Sequence, residues 1–493
     1  MGVTAGLGRA SGQARSDRPN ILFLMSDQQR GDCLGADGHP AVLTPNLDRI
    51  AAEGARFRHA YSSTPSCTPA RACLLTGQSP WHHGMLGYGR VAREYPRELP
   101  RMLREAGYST CAIGKNHFHP QRNAHGYQRT ILDESGRIES PDFRSDYRAW
   151  FWSQAPNLDP DATGIGWNDC LAGEYALPER LHPTAWTGET AVRFLNSYTR
   201  SAPFFLKVSF ARPHSPYDPP APYMNEFRDA PIPEASVGDW AESYRPRSSQ
   251  RPTLWHGDLG AEQVRHSRQG YYGSIRFIDD QIGRILEALH RRGSYGDTLI
   301  LFLSDHGDML GDHHHWRKCY AYEASARVPL LVRWPTGLVA GERGQVRDEV
   351  AELRDVMPTF LSAAGIDVPE AVDGRSLLDT VTGKVAGWRE YLDLEHNTCY
   401  SPRNHWNALT DGKWKYIYHA LDGSEQLFDL RSDPGERRNL AGDPGSSADL
   451  RLWRSRLVRH FEERGEPFLK GGNLSLRPEG MLYSPRYPGT AQA

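Results

Sequence analysis

Long apolar runs are missing from this 493-residue sequence. No stretch approaches the ~20 residues that a bilayer-crossing helix needs, which excludes a membrane span of that kind. Mean hydropathy is −0.62, as expected for a chain that folds in water. An excess of one charge sign is missing too. The 58 Lys and Arg residues against 60 Asp and Glu leave a net charge of −2. Nothing in that balance favours nucleic acid or a membrane surface as partner, so anion binding must come from a local cluster. The first 19 residues lack the 7–15-residue apolar core of a secretory leader. They are rich in Gly, Ala, Ser and Arg and are expected to form a disordered lead, with a cytoplasmic location. Cysteine is scarce: seven residues, irregularly spaced, with no C-x-x-C pair. This excludes both a disulfide framework and a zinc knuckle as the organising principle.

What is present is a regular alternation. Ile21–Met25, Tyr108–Ile113, Phe204–Phe210, Thr298–Leu303 and Val328–Val332 read as short, fully buried strands. Between them Asn46–Glu53, Leu99–Ala106, Thr187–Tyr198 and Gly270–His290 carry helical spacing. Alternation of this kind predicts an α/β fold, a large, mostly parallel sheet with helices on both faces. Ligands of such sheets bind beyond the carboxyl ends of the strands. Polar clusters stand at those ends: Ser26-Asp27-Gln28, Gly114-Lys115, Pro213-His214 and Ser304-Asp305-His306. After about Gly374 the texture becomes short strands joined by turns (391–395, 406–410, 413–419 and 426–429) and then a helix, Asp449–Glu462. The chain therefore divides into a lead (1–19), an α/β domain that holds the strand-end clusters (20–374), a smaller antiparallel α+β domain (375–470) and a tail (471–493). The tail is a candidate arm for a homo-oligomer. Residues 216–268, rich in Pro, Arg and Ser, read as a long insertion.

One cysteine has a special setting. Cys67-Thr68-Pro69-Ala70-Arg71, continuing to Thr76-Gly77, resembles the C-x-P-x-R…T-G signature of the type I sulfatases, within the alkaline phosphatase-like superfamily. Pro69 suits the first turn of a helix, which would set residue 67 at a helix N-terminus, where anionic chemistry is favoured. The resemblance runs from Asn20 to about Leu440 and implies several roles. Cys67 would be converted to formylglycine by a formylglycine-generating enzyme, and its hydrate would attack the sulfur of a sulfate ester. Arg71 would hold that hydrate. Asp27, Gln28, Asp305 and His306 would bind one divalent metal ion together with residue 67. Gln28 replaces a second Asp common in the family, which makes manganese a rival to calcium, with magnesium a further alternative. Gly114-Lys115-Asn116-His117, Pro213-His214-Ser215-Pro216 and Lys318 match further family motifs. Lys115, His214 and Lys318 would contact sulfate oxygens, His214 or Lys318 would protonate the leaving alcohol, and His117 would help to release sulfate.

The resemblance implies a small sulfate ester or sulfated saccharide as substrate. Phosphonate and phosphate ester hydrolases of the same superfamily share the motif and form the alternative. His313-His314-His315 reads as a polar loop beside the site rather than a metal centre of its own. His182, Arg212, His396, Arg403 and Trp406 are candidates for contacts to the rest of the substrate.

Overall fold

The computed structural model describes residues 18–134 and 136–489. The lead expected at the N-terminus lies, up to residue 17, outside the described residues. Eight strands build the main sheet: β1 (Asn20–Asp27), β2 (Ala55–Phe57), β4 (Ser109–Gly114), β5 (Arg129–Leu132), β6 (Phe204–Pro213), β7 (Thr298–Ser304), β8 (Leu330–Arg333) and β9 (Gln345–Arg347). Their order is β5-β4-β6-β1-β7-β8-β2-β9. Pairing is parallel except around β8, which runs against both of its neighbours. A short pair, β3 (Ala60–Tyr61) with β10 (Ala351–Glu352), lies apart from it.

The central strands are apolar on both sides because both faces of the sheet are covered. In β1, Ile21, Phe23 and Met25 face one core and Leu22 and Leu24 the other. The first core is closed by the helices Cys67–Thr76, Leu99–Glu105 and Val356–Ala363, through Leu74, Leu103 and Phe360. The second is closed by Pro183–Ser197 and by the 31-residue helix Ala261–Arg291, through Leu195, Ile278, Ile282 and Ile285.

Two helices start earlier than their apolar spacing predicts. Pro183 occupies the first helical turn and the His182 ring accepts from Thr184 N, a start signal placed before the periodic stretch. The long helix begins at Ala261, which shortens the expected insertion. Its Gly270 permits close contact: a Cβ there would stand 2.5 Å from the Tyr217 carbonyl oxygen.

Four antiparallel strands form a second sheet in sequence order: β11 (Leu392–His396), β12 (Trp406–Thr410), β13 (Trp414–His419) and β14 (Glu425–Asp429). One face carries the helix Ser447–Phe461, with Trp453, Leu457 and Phe461 against Leu409, Tyr416 and Leu427. The other packs Leu394, Ala408 and Ile417 against Tyr61, Met309 and Tyr322. The tail makes a hairpin, β15 (Leu469–Lys470) with β16 (Asn473–Leu474), and then returns to the first region. There Leu86 N donates to Leu482 O at 3.0 Å and Ser484 N to Gly84 O at 2.8 Å. Among the described residues no helix is long and apolar enough to cross a membrane.

Candidate active site

Strand register brings the acidic residues together. Ser26 of β1 lies opposite Ser304 of β7, so Asp27 and Asp305 leave adjacent strand ends side by side. On the other side of β1 the pairing with β6 slips between Met25 and Asp27, and Asp27 meets Pro213. Such an irregularity re-aims a side chain at the end of a ladder. It also places His214, whose N–H donates to the Asp27 carbonyl at 3.0 Å.

Cys67 opens the helix Cys67–Thr76, all ten residues of which are buried. Ser66 precedes it in extended conformation, so the first N–H groups and the helix dipole are directed at the site. Cys67 Sγ lies 3.2 Å from His306 Nε2, 3.5 Å from Lys318 Nζ and 3.8 Å from Asp27 Oδ1. One turn on, Arg71 is wholly buried and reaches both carboxylates. Its Nη2 stands 3.0 Å from Asp27 Oδ2 and 2.9 Å from Asp305 Oδ2, and its Nε donates to Asp305 at 3.0 Å. Its Nη1 donates to the Lys115 carbonyl and to Ser209 Oγ.

The cations close around this core. Lys115 Nζ lies 2.7 Å from Asp27 Oδ2 and 5.1 Å from the Trp167 ring centre, with its ammonium otherwise unpartnered among the described residues. Lys318 Nζ donates to Gln28 Oε1 at 2.8 Å. Gln28 has a left-handed backbone, φ 73°, and its amide donates to Asp308, which also accepts from Tyr217 OH at 2.6 Å. Charge shifts follow the geometry. Burial alone would raise the Asp27 carboxyl, but Lys115, His214, Arg71 and Lys318 together hold it well below its ordinary value. Burial and Asp27 oppose ionisation of the Cys67 thiol, and Lys318, Lys115 and His306 outweigh them, so its pKa is lowered.

Ring tautomers can be assigned from partners. His306 Nδ1 faces the Gly307 carbonyl at 2.9 Å and must carry a proton. Burial opposes a second proton, but Asp305 and Cys67 outweigh it and raise the ring's pKa to about 9, so Nε2 is protonated toward Cys67 and would shed that proton to ligate a metal. His214 Nδ1 likewise faces the Ser215 carbonyl at 2.8 Å. Burial, then Lys318 and Lys115, hold the His214 ring well below its usual pKa. His117 is buried with left-handed backbone, φ 56°, and neither ring nitrogen has a hydrogen-bond partner among the described residues. Burial, Lys115 and Arg137 hold it well below 6.5.

Donor chemistry fits a divalent cation. One ligand atom from each of Asp27, Cys67, Asp305 and His306 lies within 4.8 Å of all the others, and all four residues are buried. The carboxylates come from different strand ends, as a hard cation requires. Gln28 stands beside this group through its shared partner, Lys318.

All the residues singled out in the sequence for catalysis or metal binding therefore converge, but several of the further candidates have other work. His182 and Trp406 are packed inside, and Trp406 Nε1 donates to the Cys319 carbonyl. Arg212 is tied to Asp218 at 3.0 Å. His396 Nε2 meets Ser66 Oγ at 2.9 Å. The three consecutive histidines 313–315 are buried: His313 packs on Trp240, 4.6 Å between ring centres, and His315 on Tyr244 at 4.3 Å.

Other contributors escaped the sequence reading. Glu134, beyond β5, accepts from the N–H groups of Asn116 and His117 at 2.9 and 2.8 Å and so shapes the His117 loop. Lys207 is a buried lysine inside an apolar strand, and its Nζ donates to Asn116 Oδ1 at 3.1 Å. That misplaced charge was the available signal. Trp167 stacks on the His214 ring at 4.6 Å and sits in an irregular loop that gave none.

Comparison with known proteins gives the family and the fold. The family model described as Sulfatase matches residues 19–366, and one described as N-sulphoglucosamine sulphohydrolase, C-terminal, matches 311–462. An arylsulfatase of Clostridium perfringens is 39% identical over 473 residues, covering 93% of this chain and 97% of that protein. A choline-sulfatase of Rhizobium meliloti is 33% identical over 464 residues, 90% and 87% of the two chains. Among solved structures, the phosphonate monoester hydrolase of Agrobacterium radiobacter superposes with a TM-score of 0.75 at 26% identity, covering 93% of this chain and all of that one.

Proposed function

The chain belongs to the sulfatase family, and from that premise we propose that its buried cluster hydrolyses a small organic sulfate ester, with residue 67 as nucleophile. The observation that carries the reading is the setting of Cys67. It stands at a helix N-terminus, within 4 Å of His306, Lys318 and Asp27, with Arg71 and Lys115 bound to the same carboxylate.

In this reading the Cys67 sulfur marks the place of a formylglycine oxygen, installed by a formylglycine-generating enzyme. The aldehyde hydrate supplies two hydroxyls on one carbon, one to displace the alcohol from sulfur and one to expel sulfate afterwards. A divalent ion held by Asp27, Asp305, His306 and residue 67, with Gln28 alongside, supplies charge to the bound sulfate. Calcium suits the carboxylates, and His306 admits manganese.

The remaining residues act as fixed charges and proton carriers. Lys115 and Lys318 direct ammonium groups at the sulfate oxygens, where charge grows in the transition state. Lys318 is the better proton donor to the leaving alcohol. It carries N–H groups at the cluster, whereas the neutral His214 ring spends its proton on the Ser215 carbonyl and offers a bare Nε2. His214 instead accepts or orients, with Trp167 stacked on it. His117, neutral and with neither ring nitrogen hydrogen-bonded among the described residues, is suited to take the proton from the second hydroxyl.

The substrate's organic part follows the relatives only in class: an aryl or small alkyl sulfate, with a sulfated sugar as a further member. The second reading, a phosphonate or phosphate ester, is favoured by the likeness to the Agrobacterium hydrolase. Measuring kcat/KM for 4-nitrophenyl sulfate and for a phenyl phosphonate ester, with Cys67→Ala as blank, separates them. A phosphonate preference of several orders of magnitude would sink the sulfate assignment.

A further inference from the structure

Behind the nucleophile lies a second convergence of ligand-type side chains. One ligand atom from each of Cys319, His396 and Cys399 lies within 4.8 Å of the other two. Cys319 and His396 are buried and Cys399 is half-buried. The His396 ring is already oriented: Nε2 meets Ser66 Oγ at 2.9 Å, and the buried Nδ1 has no hydrogen-bond partner among the described residues. Cys319 is fixed through its backbone, its carbonyl accepting from Asn404 Nδ2 at 3.1 Å and Trp406 Nε1 at 3.0 Å, and its N–H donating to Pro65 O at 3.0 Å. Left-handed backbone gathers here, with φ of 79° at Cys319, 51° at Thr398 and 65° at Tyr400. Strain of that kind in non-glycine residues persists where the surroundings impose it, and it collects at functional sites.

We propose that Cys319 Sγ, Cys399 Sγ and His396 Nδ1 form a binding site for one borderline-soft transition-metal ion of the zinc(II) class. Two thiolates and an imidazole are the donor set that such ions select over calcium or magnesium. A tetrahedral zinc site has donor–donor edges of about 3.5–3.8 Å, from bonds of about 2.3 Å to sulfur and 2.0–2.1 Å to nitrogen, so little movement is needed to close the cluster. Binding releases the two thiol protons to solvent, and the fourth position is left to water or an external donor. With the metal on Nδ1, His396 Nε2 carries the proton and donates it to Ser66 Oγ, the usual partner role of a ligating histidine. The ion would pin Ser66 and Cys319, each one residue from a member of the catalytic cluster, to the end of β11.

Cobalt(II) titration of the full-length protein in excess calcium tests this, because calcium holds the carboxylate site and has no use for thiolates. A thiolate-to-cobalt absorption band is expected at one equivalent, in the wild type and in Cys67→Ala alike. Zinc should displace it, and Cys399→Ser and Cys399→Ala should lose it, with metal affinity down about 100-fold or more. X-ray absorption at the cobalt edge of wild-type protein should read two sulfur neighbours at about 2.3 Å. Absence of the band in Cys67→Ala, its survival in a folded Cys399 variant, or fewer than two sulfur neighbours would overturn the proposal. So would a Cys319–Cys399 disulfide, about 2 Da lighter, in protein prepared without reductant.

Discussion

Replacing Lys318 by Met keeps the length of the side chain and removes its charge and its protons. Its Nζ lies 3.5 Å from Cys67 Sγ, the position assigned to the reacting oxygen. At that distance, with an effective dielectric constant of about 20, a unit charge is worth at most about 5 kcal/mol. Mutational loss of a single preorganised donor is smaller, about 10²–10³ in rate. That loss should fall on every substrate. A proton donor adds a second effect, worth about 10²–10⁴, that matters only when the leaving alcohol needs the proton. Across aryl sulfates graded by the acidity of the phenol, kcat/KM of Lys318→Met should therefore fall about 10²–10³ for 4-nitrophenyl sulfate. For the least acidic phenol it should fall at least ~10² further. Lys318→Arg restores the charge but holds its proton, so it should recover part of the common loss and keep the steep dependence on the leaving group. A loss of equal size along the whole series would show that Lys318 is not the acid. No loss at all would remove it from the machinery. Gln28 Oε1 loses its donor in the variant, a cost of about 1–3 kcal/mol, so the melting temperature must be read alongside.

Other outcomes follow from the same cluster. Arg71→Ala leaves Asp27 and Asp305 buried without their shared partner and should destabilise the chain by about 3–5 kcal/mol. If the whole chain unfolds cooperatively, that is a fall in melting temperature of about 3–5 °C. Calcium should rescue the variant by more than it stabilises the wild type, because the guanidinium no longer competes for the carboxylates; equal shifts in scanning calorimetry would contradict this. Intact mass of protein made alongside a formylglycine-generating enzyme should be lower by about 18 Da at Cys67, and Cys67→Ala should have no turnover. An unchanged mass in active protein would refute the nucleophile. His117→Ala should slow steady-state turnover ~10²–10⁴-fold while sparing a first-turnover burst of alcohol release, which rapid-quench kinetics would detect. Because burial, Lys115 and Arg137 hold the His117 ring below 6.5, it stays neutral as pH falls through that value, and the acidic limb of kcat should lie well below it. Removing one of those cations with Arg137→Met raises the ring's pKa and should move the limb upward; a fixed limb would clear His117 as the base.

The parts of the site that were legible in the sequence are those fixed by period and chain order. Apolar runs at β1 and β7 end in Ser-Asp, and a parallel sheet aligns such ends, so Asp27 and Asp305 could be paired on paper. The pattern does not give neighbours that arrive from irregular chain. Trp167 stacks on His214 from a loop whose path depends on the whole fold. Asp308 stands two residues beyond His306, yet its task, gripping Gln28 and Tyr217, appears only in three dimensions. The three consecutive histidines read as a polar loop, but their burial under Trp240 and Tyr244 depends on chain distant in sequence and has no signal in the run itself. The early start of the helix Ala261–Arg291 was hidden because its first turns are polar.

The C-terminal tail sets an order of events. Cys67 is 1% exposed in the finished fold. Leu482 and Ser484 bond to Leu86 and Gly84, which follow the nucleophile helix by only a few residues. During synthesis Cys67 leaves the ribosome about 400 residues before those partners exist, an interval of some 20–80 s at 5–20 residues per second. Under the proposed conversion, an enzyme that acts on the unfolded Cys67–Arg71 segment would have that interval as its window. In the finished fold the same segment is helix and interior, so a chain that folds with its thiol intact would have to unfold to be converted.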